Sequence, residues 1–320
     1  MTVPRNRLNV ILIVLALAVG IAAILYSRHS RDAATEPVAG KPVADDLPPI
    51  HAERDPAAIA LLPKDFKFAE PGVLTVATHP AALPLGDYGA DGKTVVGVEP
   101  DIAQVVADAL GLRLKLVPVA WADWPLGLES GKYDAVISNI TVTEERKKKF
   151  DFSSYRYDLL GIYTRSDGPL QAIKQPRDVA GLKVAISAST NQDQILRHWD
   201  AQNVAAGLKP VEFQYFDDAV IGRLAVITGR ADVSFEPNAT GAYAARDGKV
   251  RRIGLFPGGW PKPAAISVTT RKGSGLANAI TRALNTQIDD GTYAKVLARW
   301  SLAEEAVAHS ETNPPGLVDL

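Results

Sequence analysis

The chain contains no cysteine. Disulfides, thiolate catalysis, cysteine-ligated metals and a cysteine-borne lipoprotein anchor are therefore all excluded. Charge asymmetry is missing too. Lys and Arg total 35 against 36 Asp and Glu, a formal charge of −1. A balance of that kind does not supply the basic face that nucleic acid requires, so no nucleic-acid partner is expected. Histidines are sparse, at His29, His51, His79, His198 and His309, and no two share a metal-like local spacing. No metal site and no cofactor are expected. With 320 residues, 47% of them hydrophobic and 22% charged, most of the chain is expected to be globular.

The first long apolar run is Val10–Tyr26, with Arg5 and Arg7 before it and Arg28 and Arg31 after it. It has no polar face, which argues against a buried core helix. Two readings stay open. Residues 1–28 are a secretory signal, with Gly20 and Ala22 as small residues before a cut, or an uncleaved membrane anchor spanning 10–26. Either exports the rest of the chain to a periplasmic or other extracytoplasmic location. Residues 29–69, punctuated by Pro37, Pro42, Pro48, Pro49, Pro56 and Pro63, read as a semi-extended linker. Residues 303–320, with Asn313-Pro-Pro-Gly near their end, read as a loose tail.

Between these segments, short apolar runs alternate with helical patterns. Strands are expected at Leu74–Ala77, Arg113–Pro118, Ala135–Ser138, Lys183–Ser187, Phe213–Phe216 and Ala231–Phe235. Helices are expected at Pro100–Leu110, Trp124–Ser130, around Gln192–Asp200 and at Ala219–Thr228. Such alternation implies crossovers and mainly parallel sheets. The pattern starts twice, at Leu74 and again at Lys183, so two α/β lobes are expected. Leu159–Thr164 and Ile266–Thr270 flank the second unit and are the candidates for crossing strands. Lobe 1 is then 70–163 and 264–302, and lobe 2 is 164–263.

Ligands in open α/β sheets sit beyond the carboxyl ends of the strands. Four of the expected strands end in small hydrogen-bonding residues. These are Thr78 and His79; Ser138, Asn139 and Thr141; Ser187, Ser189, Thr190 and Asn191; and Glu236, Pro237 and Asn238. Together they suggest a polar ligand between two facing edges. Thr190 is placed to cap the following helix, where free N–H groups favour an anion. Trp121 and Trp124 are either packing residues or walls of a cleft.

Three stretches, "GVEPDIAQVVADALG", "LESGKYDAVISNITVTEERKKKFDFS" and "DDGTYAKVLARW", resemble the extracytoplasmic solute-binding proteins of the polar amino-acid ABC-transporter type (family 3). The resemblance spans roughly Leu74 to Leu302. It implies the α/β, two-lobed periplasmic-binding-protein (type II) fold, with mainly parallel sheets and two hinge-crossing strands, closing like a Venus flytrap. It also implies that Arg146 clamps a ligand carboxylate, a task suited to the guanidinium fork. By the same resemblance, Ser138, Asn139 and Thr141 touch the ligand from lobe 1, Thr190 and Asn191 close on it from lobe 2, and Trp121 walls it. Lys147, Lys148 and Lys149 are left as a solvated face.

The sequence departs from the family pattern in three places. His79 stands where an acid is common, and Ala82 where an aromatic usually covers the ligand. Pro237 stands where an aspartate pairs with the ligand ammonium, and Glu236, one residue earlier, is the candidate replacement. A water-facing helix-start glutamate is the other reading of Glu236.

The implied function is capture of a small carboxylated solute, an amino acid or related compound, by a monomer that delivers it to an ABC permease, with no catalytic residue. The alternatives are a cleft enzyme of the cyclic-carboxylate dehydratase type, with His79 and Glu236 as its acid–base candidates, and a membrane-tethered ligand sensor.

Overall fold

The computed structural model describes residues 48–217 and 219–318. The apolar run 10–26 and residues 29–47 of the expected linker lie outside the described residues. No described helix is long and apolar enough to cross a membrane.

In chain order the elements are α1 (Pro56–Ala60), β1 (Val73–Thr78), β2 (Asp87–Tyr88), β3 (Val95–Val96), α2 (Val98–Ala109), β4 (Arg113–Pro118), α3 (Trp124–Glu129), β5 (Ala135–Val136), α4 (Glu144–Lys147) and β6 (Phe150–Arg165). There follow β7 (Lys183–Ile186), α5 (Asn191–Ala205), β8 (Glu212–Tyr215), α6 (Ala219–Ile227), β9 (Val233–Pro237), α7 (Asn238–Ala244), β10 (Val250–Pro257), β11 (Ala264–Arg271), α8 (Leu276–Asp289) and α9 (Thr292–Arg299).

The main sheet runs β4-β1-β5-β11-β6-β9-β7-β8, with β10 added against β6. Its two outer parts are parallel: β1 with β4 and β5, and β7 with β8 and β9. These are the two α/β lobes. The middle is antiparallel and is built on β6. The first half of β6 pairs with β11, from Phe150 opposite Arg271 to Asp158 opposite Ala264. The second half pairs with β9 and β10, so one 16-residue strand passes from lobe 1 into lobe 2. The β6–β11 register slips between Ile266 and Ser267, a bulge at the junction of the lobes.

Strand β6 is longer than the expected crossing segment Leu159–Thr164. Its first half carries Asp151, Arg156 and Asp158, which look like loop residues in sequence. All three are buried, because the strand lies between layers and its charges are met internally. Strand β9 extends past Phe235, so Glu236 and Pro237 are strand residues, not the start of a helix.

Each lobe has its own core. In lobe 1, α2, α8 and α9 cover Leu74, Val76, Ile266 and Val268. In lobe 2, Trp199 of α5 is completely buried and packs on Phe235, Phe256 and Trp260. A third cluster, around Trp124, Tyr133, Phe150 and Phe152, supports the loop after β5.

Two expectations about flanking segments are corrected. Residues 50–69 are not a free tether. Pro56 starts a short helix capped by Asp55, whose carboxylate also accepts from Thr286 Oγ1 at 2.6 Å and pairs with Arg282 at 3.3 Å. Ala58 is fully buried in the lobe 1 core. The tail after Leu302 is not loose either. Glu305 and Ser310 are buried, and Thr312 bridges Ser153 of β6. The Glu305 carboxylate pairs with the buried Arg156 and so ties this segment to β6.

Candidate functional site

The polypeptide leaves β5 into the loop Ser138–Thr143. Ser138 is buried, and its Oγ accepts the His79 N–H at 3.1 Å, tying the ends of β1 and β5 together. One ring nitrogen of His79 meets the Val119 carbonyl at 2.9 Å. Asn139 has φ of 49°, a left-handed conformation that Asn tolerates better than most side chains. Its Oδ1 accepts from the Arg156 guanidinium. Thr141 is buried, and Thr143 caps α4 through its Oγ1, which accepts the Arg146 N–H at 3.1 Å.

Helix α4 is only four residues long, yet it sorts its charges. Lys147 pairs with Glu144 at 3.1 Å, Lys148 with Glu145, and Lys149 with Glu129 at 3.2 Å. Arg146 alone turns inward. Its guanidinium lies over Trp121 at 5.7 Å and near Trp124 at 6.0 Å, and it donates to the Thr141 carbonyl at 2.8 Å. No carboxylate among the described residues pairs with it. Burial pushes its pKa down to about 10, which leaves it charged at neutral pH. The guanidinium is thus half-buried between aromatic faces and one carbonyl, and a guanidinium in such a setting can offer two parallel donors to a carboxylate.

Lobe 2 offers the N-terminus of α5. Thr190 Oγ1 accepts the Asp193 N–H at 3.3 Å and donates to Ser187 O at 2.7 Å. Asn191 is buried and donates through Nδ2 to the Gly258 carbonyl. A small cavity of about 40 Å³ lies beside them, lined in part by Ser187, Gln192, Ser234 and Glu236. That space suits water rather than a solute.

Glu236 is 5% exposed, which excludes the water-facing reading. Its carboxylate accepts from Arg223 of α6, from Ser234 Oγ at 2.8 Å and from Thr240 Oγ1 at 3.1 Å. The negative charge is thus already met within lobe 2. Arg223 was not legible as its partner, since it sits in a helix whose sequence, AVIGRLAVI, is otherwise apolar.

Sequence reasoning also missed a charge cluster where the lobes join. Arg156, with no solvent exposure, pairs with Glu305 and lies 3.6 Å from Glu99. Tyr155 donates to Glu99. Asp158 is buried with one carboxylate oxygen unpartnered. Burial raises its pKa to about 7; Arg156 opposes the shift, while Glu305 and Glu99 add to it. The only sequence signal was Arg156 and Asp158 two apart in a strand, hence on one face.

Comparisons with known proteins bear on the family and the fold. A model of the bacterial extracellular solute-binding proteins, family 3, matches residues 74–303. The arginine-binding protein ArgT of Corynebacterium glutamicum is 27% identical over 292 residues, covering 90% of this chain and 92% of its own. The L-cystine-binding protein TcyJ of Escherichia coli K12 is 30% identical over 240 residues, covering 73% and 84%. Among solved structures, an ancestral amino-acid-binding protein described as a precursor of cyclohexadienyl dehydratase is similar at 27% identity. Its TM-score is 0.63, with 72% of this chain and 95% of that one covered.

Proposed function

The chain belongs to the bacterial extracellular solute-binding proteins, family 3, and on that premise we propose that it captures an amino acid or a closely related carboxylated solute between its lobes. Delivery is to an ABC permease. The observation that carries the ligand class is Arg146, a half-buried cation against two tryptophan faces with no acid partner among the described residues.

In this reading the ligand carboxylate docks on the Arg146 fork. Ser138, Asn139 and Thr141 surround it from lobe 1, with Trp121 as the wall. Thr190 and Asn191 meet it from lobe 2 at the α5 N-terminus. Closure removes water and strengthens each charged contact. Glu236 serves the site as a fixed element, holding Arg223 and the floor of lobe 2 in place. A dehydratase would instead need His79 or Glu236 free to move protons. Glu236 already takes three hydrogen bonds, which favours binding over chemistry. Residues 1–28 carry the export signal, or an anchor through 10–26, and the monomer is the working form.

The test is calorimetric titration with L-arginine and L-cystine, each against its carboxamide analogue. The reading expects at least one free acid to bind and its amide to bind far more weakly. Equal binding of acid and amide would count against a carboxylate clamp.

A further inference from the structure

We propose that residues 303–317 form a positioning strap that fixes both ends of the carboxylate-binding loop 138–146 and links that loop to lobe 2. This rests on the proposed role of Arg146. The strap begins at residue 303, where the family match ends.

The first anchor is Glu305. It reaches the buried Arg156, and Arg156 in turn donates to Asn139 Oδ1, so the back of the loop is held through a charged side chain. The strap then runs along β6. Glu311 N–H donates to Ser154 Oγ at 2.8 Å, Ser154 N–H to Glu311 O at 3.0 Å, and Asn313 N–H to Phe152 O at 2.9 Å.

The second anchor is at the front of the loop. Leu317 N–H donates to Val142 O at 3.0 Å, and Leu317 O accepts the Glu144 N–H at 2.8 Å. Gly316 N–H donates to Glu144 Oε1 at 2.8 Å, and Pro314 O accepts from Lys147 Nζ at 3.2 Å. A four-residue helix cannot hold itself in water. Here its first turn is stitched to the extended segment Pro314–Leu317, and that turn carries Arg146.

The link to lobe 2 is steric. The Leu317 side chain covers Gly259, at the turn between β10 and β11, so closely that a Cβ there would lie 2.3 Å from Leu317 Cδ2. Movement of that turn on opening therefore presses on the residue that pairs with α4. Ligand release and strap position become coupled.

The test uses full-length protein. A Cβ at Gly316 would meet the Glu144 nitrogen at 2.7 Å, backbone that cannot yield, so Gly316→Val expels the strap end. Leu317→Ala is the milder variant if that one fails to fold. Hydrogen exchange is followed at the Arg146, Lys147 and Lys148 amides, whose own acceptors lie within 143–145 and stay in place. L-arginine dissociation is measured in parallel, with Arg146→Ala as reference.

The proposal expects faster exchange at those three amides, unchanged exchange in α5, and L-arginine release faster by about tenfold. Unchanged exchange in α4 overturns it. So does faster exchange with an unaltered release rate. If the wild type does not bind L-arginine, the ligand reading fails for that probe, while the exchange result still decides whether the strap holds α4.

Discussion

The Arg156 guanidinium donates to the Glu305 carboxylate across 149 positions of sequence, and the two side chains are 0% and 1% exposed. One belongs to the strand that joins the lobes and the other to the last segment of the described residues. Their pairing brings the C-terminal segment into the hinge and places a positive charge behind Asn139.

Removing that charge should be costly. Arg156→Met leaves Glu99 and Glu305 buried without their counterion, and breaking a buried pair typically costs roughly 3–5 kcal/mol. Urea unfolding should show a loss of that size. Protonation of the stranded carboxylates sets the lower bound, so the loss should shrink at acidic pH.

Asp158 gives the hinge a pH dependence. Its folded pKa is raised to about 7, chiefly by burial. The folded state therefore holds a proton that the unfolded chain releases near the ordinary carboxyl value. The stability from that proton is present at acidic pH and is lost as pH rises through the interval between the two values. Thermal unfolding of the wild type should show this decline between about pH 4 and 7. Asp158→Asn should flatten it; an identical slope in both proteins would assign the effect elsewhere.

Arg146→Ala should weaken binding of a carboxylated ligand by roughly 2–5 kcal/mol, the usual loss for a desolvated charge pair. Lys148→Ala should change it little, because Lys148 is exposed beside Glu145. Calorimetry on the two variants separates a clamp from a general effect of positive charge on α4.

Glu236→Gln should act on stability before specificity. It removes the charge that holds Arg223, at a cost of about 1.5–3 kcal/mol for a charge-assisted hydrogen bond. The preference between an amino acid and its ammonium-free analogue should stay as in the wild type. A selective loss of amino-acid binding would show that Glu236 leaves Arg223 for the ligand on closure.

The parts of this structure governed by local pattern were readable in sequence. The β–α alternation located the two lobes, and the polar ends of β5 and β7 marked Ser138–Thr141 and Thr190–Asn191. Arg146 stood out from three neighbouring lysines only through the family motif; its seat on Trp121 is a tertiary fact. What escaped were pairings at long range. Glu305 heads an alanine-containing, proline-ended stretch that looks unstructured until Arg156 is known to lie beneath it. Arg223 and Glu236 read as isolated charges because each one's partner sits on a different element. The first half of β6 was missed because Asp151, Arg156 and Asp158 are polar residues in a largely buried strand.

The central claim is that the cleft holds a carboxylated small molecule on Arg146. Mass spectrometry of the small molecules released on denaturing the purified wild type and Arg146→Ala, prepared in parallel, tests it without prior choice of ligand. The account predicts a carboxylate-bearing compound from the wild type and its loss from the variant. The same compound in equal amount from both, or a released ligand with no carboxylate, would contradict it.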